Sequence, residues 1–236
     1  MKRISEALKR NRSCARKWFD GLFCNKKIQT KIVGEESNWI IVPALIGQGT
    51  RVLSGGAGRD ISFEKELAER YGAKVAIFDP SPTGQSTFQR QLGGSLDIKA
   101  YPIGLSGISG IVKFALPIDP SEGSFRISKD QDTQHASFDC CSLSDACRLA
   151  DFSEIDLLKI DIEGFEYEVL ENMMADEIRP AQIAVEFHHF FPGISIVKTI
   201  KLVASLYRYN YKLIYKRRHD YLFLRRDVIN SLKIRC

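Results

Sequence analysis

The chain reads as an α/β protein built on a mostly parallel sheet with an antiparallel last strand, and three observations point there. The stretch Arg51–Pro80 (RVLSGGAGRDISFEKELAERYGAKVAIFDP) spells out strand, glycine loop, helix, strand and terminal acid. Two later blocks, Ile155–Leu170 and Ala181–Phe191, each open with a short apolar run that suits a buried parallel strand. Finally, Tyr211–Lys216 and Tyr221–Arg225 are β-rich runs joined by the short polar connection Arg217–Asp220, the pattern of a hairpin.

In the first block, Val52 and Leu53 end an apolar run and Gly55, Gly56 and Gly58 follow, so the backbone can turn tightly and approach a ligand closely. A helix is expected next, with Ile61, Phe63, Glu64, Leu67 and Ala68 as its inner stripe and Asp60 or Ser62 as its cap. Lys74–Phe78 is a buried strand that delivers Asp79 to its carboxyl end, where acids bind ribose hydroxyls. Asp79 follows the loop by about twenty residues, as such a contact requires. The third glycine of the dinucleotide fingerprint is absent and Asp60 stands near the helix start, where it would repel a pyrophosphate. A cationic group suits the position better, such as the amine or sulfonium of S-adenosylmethionine.

Ile98–Ile103 is expected as a third strand and Ile111–Leu116 as a further β run, with glycine-marked turns between them. Pro117–Gln134 lacks periodicity and reads as a loop insertion or hairpin, an ordinary connection or a wall of an acceptor pocket. The next strand, Ile155–Ile160, ends at Asp161, which points toward the same crevice as Gly56 and Asp79. Glu163, with Glu166 and Glu168, is either functional or a complement to the positive end of the following helix. The strand in AQIAVEFHHFF ends in Glu186, His188 and His189, and alternation puts Glu186 and His188 on one face. Such a pair beside Asp161 would take a proton from an acceptor hydroxyl or hold a divalent cation that lowers its pKa. A helix is expected over Ser195–Tyr207, before the terminal hairpin.

Composition fits one compact enzyme domain: 236 residues, 44% of them hydrophobic, without repeats. No apolar run approaches the roughly twenty residues of a membrane span, and the basic first residues lack the apolar core of a secretory signal. The six cysteines form no C-x-x-C pair, which argues for reduced thiols and a cytoplasmic protein. Residues 1–27 and 207–236 each carry nine basic and two acidic residues, leaving −9 for the middle of a chain whose net charge is +5. Such ends would steer an anionic acceptor or meet a membrane face, but no base-reading motif supports specific nucleic-acid binding.

Five ordered blocks resemble the FkbM family of S-adenosylmethionine-dependent methyltransferases: VLSGGAGRDISFE at Val52–Glu64, FDPSP at Phe78–Pro82, YPIGLSG at Tyr101–Gly107, LLKIDIEGFEYEVL at Leu157–Leu170 and VEFHH at Val185–His189. The resemblance implies a Rossmann-like class I methyltransferase: a seven-stranded, mostly parallel sheet with an antiparallel last strand and helices on both faces. It implies methyl transfer to a hydroxyl of a sugar, glycan or secondary metabolite. By position, Gly55, Gly56 and Gly58 would wrap the methionine portion of the cofactor, Asp79 would accept hydrogen bonds from the ribose, Ser54 and Pro80 would also belong to the cofactor site, and Asp161 would lie near the transferring methyl or acceptor. Glu186 and His188 complete the expected catalytic set, with His188 expected to take the acceptor proton, Glu186 to orient it and Asp161 to assist or bind a metal. Ser54 stands where many class I methyltransferases carry an acid, and Asp60 is the expected replacement. Residues 1–40 are expected as a basic, helical N-terminal extension and 41–236 as the methyltransferase domain. The alternatives are a non-catalytic binding protein that keeps the fold, which Ser54 encourages, and an NAD(P)-dependent oxidoreductase.

Overall fold

A computed structural model describes residues 28–93, 97–117, 124–128 and 134–232. The chain enters through a hairpin, β1 (Lys31–Val33) and β2 (Trp39–Ile41), paired antiparallel. The glycine-loop block follows as β3 (Arg51–Gly55), α1 (Ser62–Tyr71) and β4 (Lys74–Phe78), and then α2 (Pro82–Gln91) and β5 (Ile98–Tyr101). Four short strands come next: β6 (Gly104–Leu105), β7 (Gly110–Ala115), β8 (Arg126–Ile127) and β9 (His135–Cys141). The chain then runs through α3 (Leu143–Ala150), β10 (Leu157–Ile160), α4 (Glu166–Ala175), β11 (Gln182–Glu186), α5 (Ile196–Arg208), β12 (Tyr211–Arg217), β13 (Asp220–Arg225) and α6 (Arg226–Ser231).

Seven strands form the main sheet in the order β12-β13-β11-β10-β3-β4-β5. The five strands from β11 to β5 pair in parallel, whereas β13 runs antiparallel to both β11 and β12. The sheet is therefore mixed, as the hairpin in the sequence requires. Alternation along the strands sends side chains to two cores. Leu53, Leu158 and Ile160 meet α3, α4 and α5 on one face. Val52, Leu157 and Leu224 meet α1, α6 and the β1–β2 hairpin on the other. Helices thus cover both faces, which is why the parallel strands are predominantly apolar.

Local chemistry sets the helix ends. The Ser81 hydroxyl caps α2 by accepting from the Gly84 N–H at 3.0 Å, with Pro82 at the first helical position. Gly72 ends α1 at φ 67°, the left-handed stop that glycine adopts without strain.

Three expectations change. The strand expected over Ile98–Ile103 stops at Tyr101, and Gly104–Leu105 joins a second, four-stranded sheet in the order β6-β9-β7-β8. Part of the insertion at 117–134 lies outside the described residues, but Arg126–Ile127 is an edge strand of that sheet. Of the helix expected over residues 1–40, residues 1–27 lie outside the described residues, and the remainder is the β1–β2 hairpin rather than helix. The hairpin buries Val33, Trp39 and Ile41 in the second core, so it packs on the domain as part of its wall.

The hairpin is held to α1 by Glu66. Its Oε1 accepts from Lys31 Nζ at 2.8 Å and its Oε2 from the Gly34 N–H at 3.0 Å, and the Lys31 bond foremost lowers the Glu66 pKa to about 2. Glu66→Ala is expected to lower the unfolding free energy by about 1 kcal/mol in a urea titration; an unchanged midpoint would show that apolar burial alone seats the hairpin.

Candidate active site

The carboxyl ends of β3, β4 and β10 open on one cleft. The β3–α1 loop presents Gly56, Ala57 and Gly58 to it, and Asp79 and Pro80 enter from the end of β4. Asp161 and Glu163 enter from beyond β10, while Phe114 and Phe125 of the second sheet and its connections close the opposite wall. The insertion therefore shapes the cleft through Ser124 and Phe125.

Gly56 has φ +85°, and a β-carbon there would lie 1.8 Å from the Asp161 carbonyl oxygen. Only glycine permits that approach, and it brings the glycine loop against the segment that carries the acids. Asp79 secures the loop from the other side. Its Oδ2 accepts from the Ala57 and Gly58 N–H groups at 2.8 and 3.0 Å, and its Oδ1 from the Ser81 N–H and hydroxyl at 2.8 and 2.6 Å. These bonds fill the capacity of the carboxylate, so Asp79 acts first as a clamp between loop and α2.

Three expected cofactor contacts lie elsewhere. Gly55 is buried beneath Leu105 and Ile162 instead of facing the cleft. Ser54 is fully buried and its hydroxyl donates to Glu64 Oε1 at 2.5 Å. Asp60 is turned away: its carboxylate accepts from the Ser62 N–H at 2.9 Å, the Ser62 hydroxyl at 2.6 Å and the Ser37 N–H at 2.8 Å. Burial opposes its ionisation, but these bonds outweigh burial and lower its pKa. Asp60 therefore ties the hairpin to the start of α1 and lines a separate groove with Glu66.

The expected catalytic trio does converge. One ligand atom each from Asp161, Glu186 and His188 lies within 4.8 Å of the others. His188 is buried, with Nδ1 2.7 Å from Glu166 Oε1 and Nε2 3.7 Å from Asp161 and 3.4 Å from Glu163. Glu166 is fully buried and also accepts the Ile162 and Gly164 N–H groups at 3.1 Å. It fixes the imidazole and the acid-bearing loop together, a role beyond complementing a helix dipole. Within that loop Glu163 adopts φ 55°, which turns its carboxylate toward His188. His189 points elsewhere, its ring 4.9 Å from that of His219.

Electrostatics correct one role. Burial disfavours the His188 imidazolium, but the Glu166 hydrogen bond and the Asp161 and Glu163 charges outweigh it and raise the pKa to about 9. At neutral pH His188 is thus already protonated and is no free base. Burial, reinforced by Asp161, raises Glu186 to about 7, and burial raises Glu163 to about 7 as well. These carboxylates are the groups poised to exchange protons near neutrality.

Gly56, Ala57, Gly58 and the strand-end Asp79 thus share one cleft of an α/β sheet with Asp161 and Glu163, while Glu186 and His188 join Asp161 outside the residues that line it. The methyltransferase FkbM domain matches residues 49–213, and the chain belongs to that family. No individual curated protein matches it. Among the described residues, no helix is long and apolar enough to cross a membrane.

Gly56→Ala should lower stability by more than about 2 kcal/mol, read as a fall in thermal midpoint; retention of the native midpoint would mean that the Asp161 segment yields without cost. A second expectation concerns pH. Glu163 and Glu186 titrate at about 7 when folded against 4.5 ordinarily, and His188 at about 9 against 6.5. The folded protein holds these protons after the unfolded chain has released them, so stability should fall as pH rises from about 5 to about 9. Thermal melts in chelator should show that fall, and Glu186→Gln should flatten its lower half; a slope unaffected by the substitution would place the titration elsewhere.

Proposed function

We propose that this protein is an S-adenosylmethionine-dependent O-methyltransferase acting on a hydroxyl of a sugar, glycan or secondary metabolite. The observation that carries the reading is the meeting, across Gly56, of a clamped glycine loop with the Asp161, Glu186 and His188 cluster. Family membership supplies the reaction class, and the sheet, with β13 antiparallel between β11 and β12, has the edge expected of a class I methyltransferase. The oxidoreductase alternative shares the loop but neither this edge nor this family. The non-catalytic alternative drew on the missing acid at Ser54, and buried Glu64 provides an acid beside that position.

Gly56, Ala57, Gly58 and Asp79 would hold the adenosine half, with Asp79 exchanging some of its hydrogen bonds to the loop for ribose hydroxyls. The electrophile is already activated as a sulfonium, so the protein must align the acceptor and accept its proton. Bound there, the sulfonium would supply the methyl carbon as electrophile, with sulfur as the leaving group that takes the carbon–sulfur electron pair. The hydroxyl proton passes to Glu186 or Asp161, while His188 holds the two carboxylates in register as their cationic partner. Two carboxylates and an imidazole whose second nitrogen is anchored by Glu166 also fit a divalent cation, with Asp161, Glu186 and His188 as its ligands. Bound there, it would supply Lewis-acid lowering of the hydroxyl pKa.

Calorimetric titration with S-adenosylmethionine and S-adenosylhomocysteine should show binding, with NAD and NADP inert; the reverse pattern would reject the assignment. Glu186→Gln and Asp161→Asn should bind the cofactor within a few-fold of the native protein yet reduce turnover by about 10² or more. Loss of turnover in chelator, restored by a divalent cation, would locate the proton-lowering role in a metal.

A further inference from the structure

Lys159 occupies a position that the strand pattern reserves for an apolar side chain. It is the third residue of β10, between Leu158 and Ile160, and only 4% of it is exposed. It lies on the face that carries Leu157, beneath α1 and the hairpin, and its register partner on β3 is Ser54. The ammonium donates to the Gly56 carbonyl, lies 4.0 Å from Glu64 Oε1 and sits 5.1 Å from the centre of the Trp39 ring. Glu64 is itself buried and anchored by the Ser54 hydroxyl at 2.5 Å.

Stability alone does not explain this arrangement. A buried ion pair replaced by apolar residues of similar volume is often neutral or stabilising. Lys159 also does more than fill the core, since its side chain lines the cleft beside Gly56. Asp79, Asp161 and Glu163 line the same cleft, and among its described lining residues Lys159 is the single cation.

The proposed cofactor carries one anionic group, the carboxylate of its methionine half, and an acidic cleft would reject it without a local cation. Asp79 at the end of β4 and Lys159 near the end of β10 flank β3, which separates them by two strand spacings, about 10 Å. That span is of the order of the reach from a ribose hydroxyl to the far carboxylate. We propose that the Lys159 ammonium, anchored by Glu64, is the receptor for the methionine carboxylate of S-adenosylmethionine. The proposal rests on the cofactor reading above. It also gives Ser54 a reason: a carboxylate on Ser54's position would compete for Lys159, whereas the hydroxyl leaves Glu64 set back as counter-ion and the ammonium facing the ligand.

The test is calorimetric titration of the full chain with S-adenosylmethionine and with its decarboxylated form, which differ only in the carboxylate. The native protein should favour the carboxylated ligand by roughly 10- to 100-fold. Lys159→Arg, which keeps the charge, should retain a preference. The double variant Lys159→Met with Glu64→Gln removes both buried charges and so avoids an unpaired acid; it should bind the two ligands alike. A native preference that survives in the double variant overturns the assignment, as does a native protein that binds both ligands equally. Should the native protein bind neither ligand, the cofactor reading itself fails, and the two failures are therefore distinct.

Discussion

The contact between Gly56 and the Asp161 carbonyl is the constraint on which the site depends. Parallel pairing of β3 with β10 brings two strand ends side by side, and both chains must then leave the sheet in the same small volume. One of them has to give up its side chain, and Gly56 does so. Because the loop passes so close, the clamp from Asp79 and the acid-bearing turn after β10 hold a single relative geometry. A shift in either would be transmitted directly to the other, since a packed interior has little slack.

Charge is arranged in two layers around that contact. Beyond the strand ends, one imidazolium is shared among Asp161, Glu163 and Glu166, with Glu186 nearby, and burial raises the pKa values of Glu163 and Glu186 to about 7. Beneath the loop, a buried lysine and glutamate face each other across Ser54. The first layer can exchange protons at little free-energy difference, as acid–base work demands. The second is fixed, with the lysine also bound to backbone carbonyl, and suits recognition better than proton transfer.

Much of this was legible in the sequence where the signal is local. The glycine loop, the strands ending at Asp79 and Asp161 and the terminal hairpin are written in contiguous residues. Of the second sheet only β7 was, in the run Ile111–Leu116, because β6 and β8 are two residues each and owe their existence to distant partners. Residue roles failed for the same reason. Asp60 is adjacent to the loop in sequence yet turned toward the hairpin, while Glu64 passed as one position in a helical stripe. Glu166 passed as an ordinary acid in a first helical turn, where acids are common. Lys159 is a single charge inside an apolar run, and that oddity was the one signal that could have disclosed the buried pair. Pattern gives the face a side chain occupies; it does not name what the side chain meets there.

The placement of β13 has a consequence for how the sheet closes. This strand follows β12 by two residues but lies inside it, between β12 and β11. β12 touches the sheet through β13 alone, so neither strand can add to the edge one at a time in chain order, and the hairpin docks as a unit with β13 against β11. Until it does, the edge of β11 is an unpaired row of backbone donors and acceptors, open to another strand.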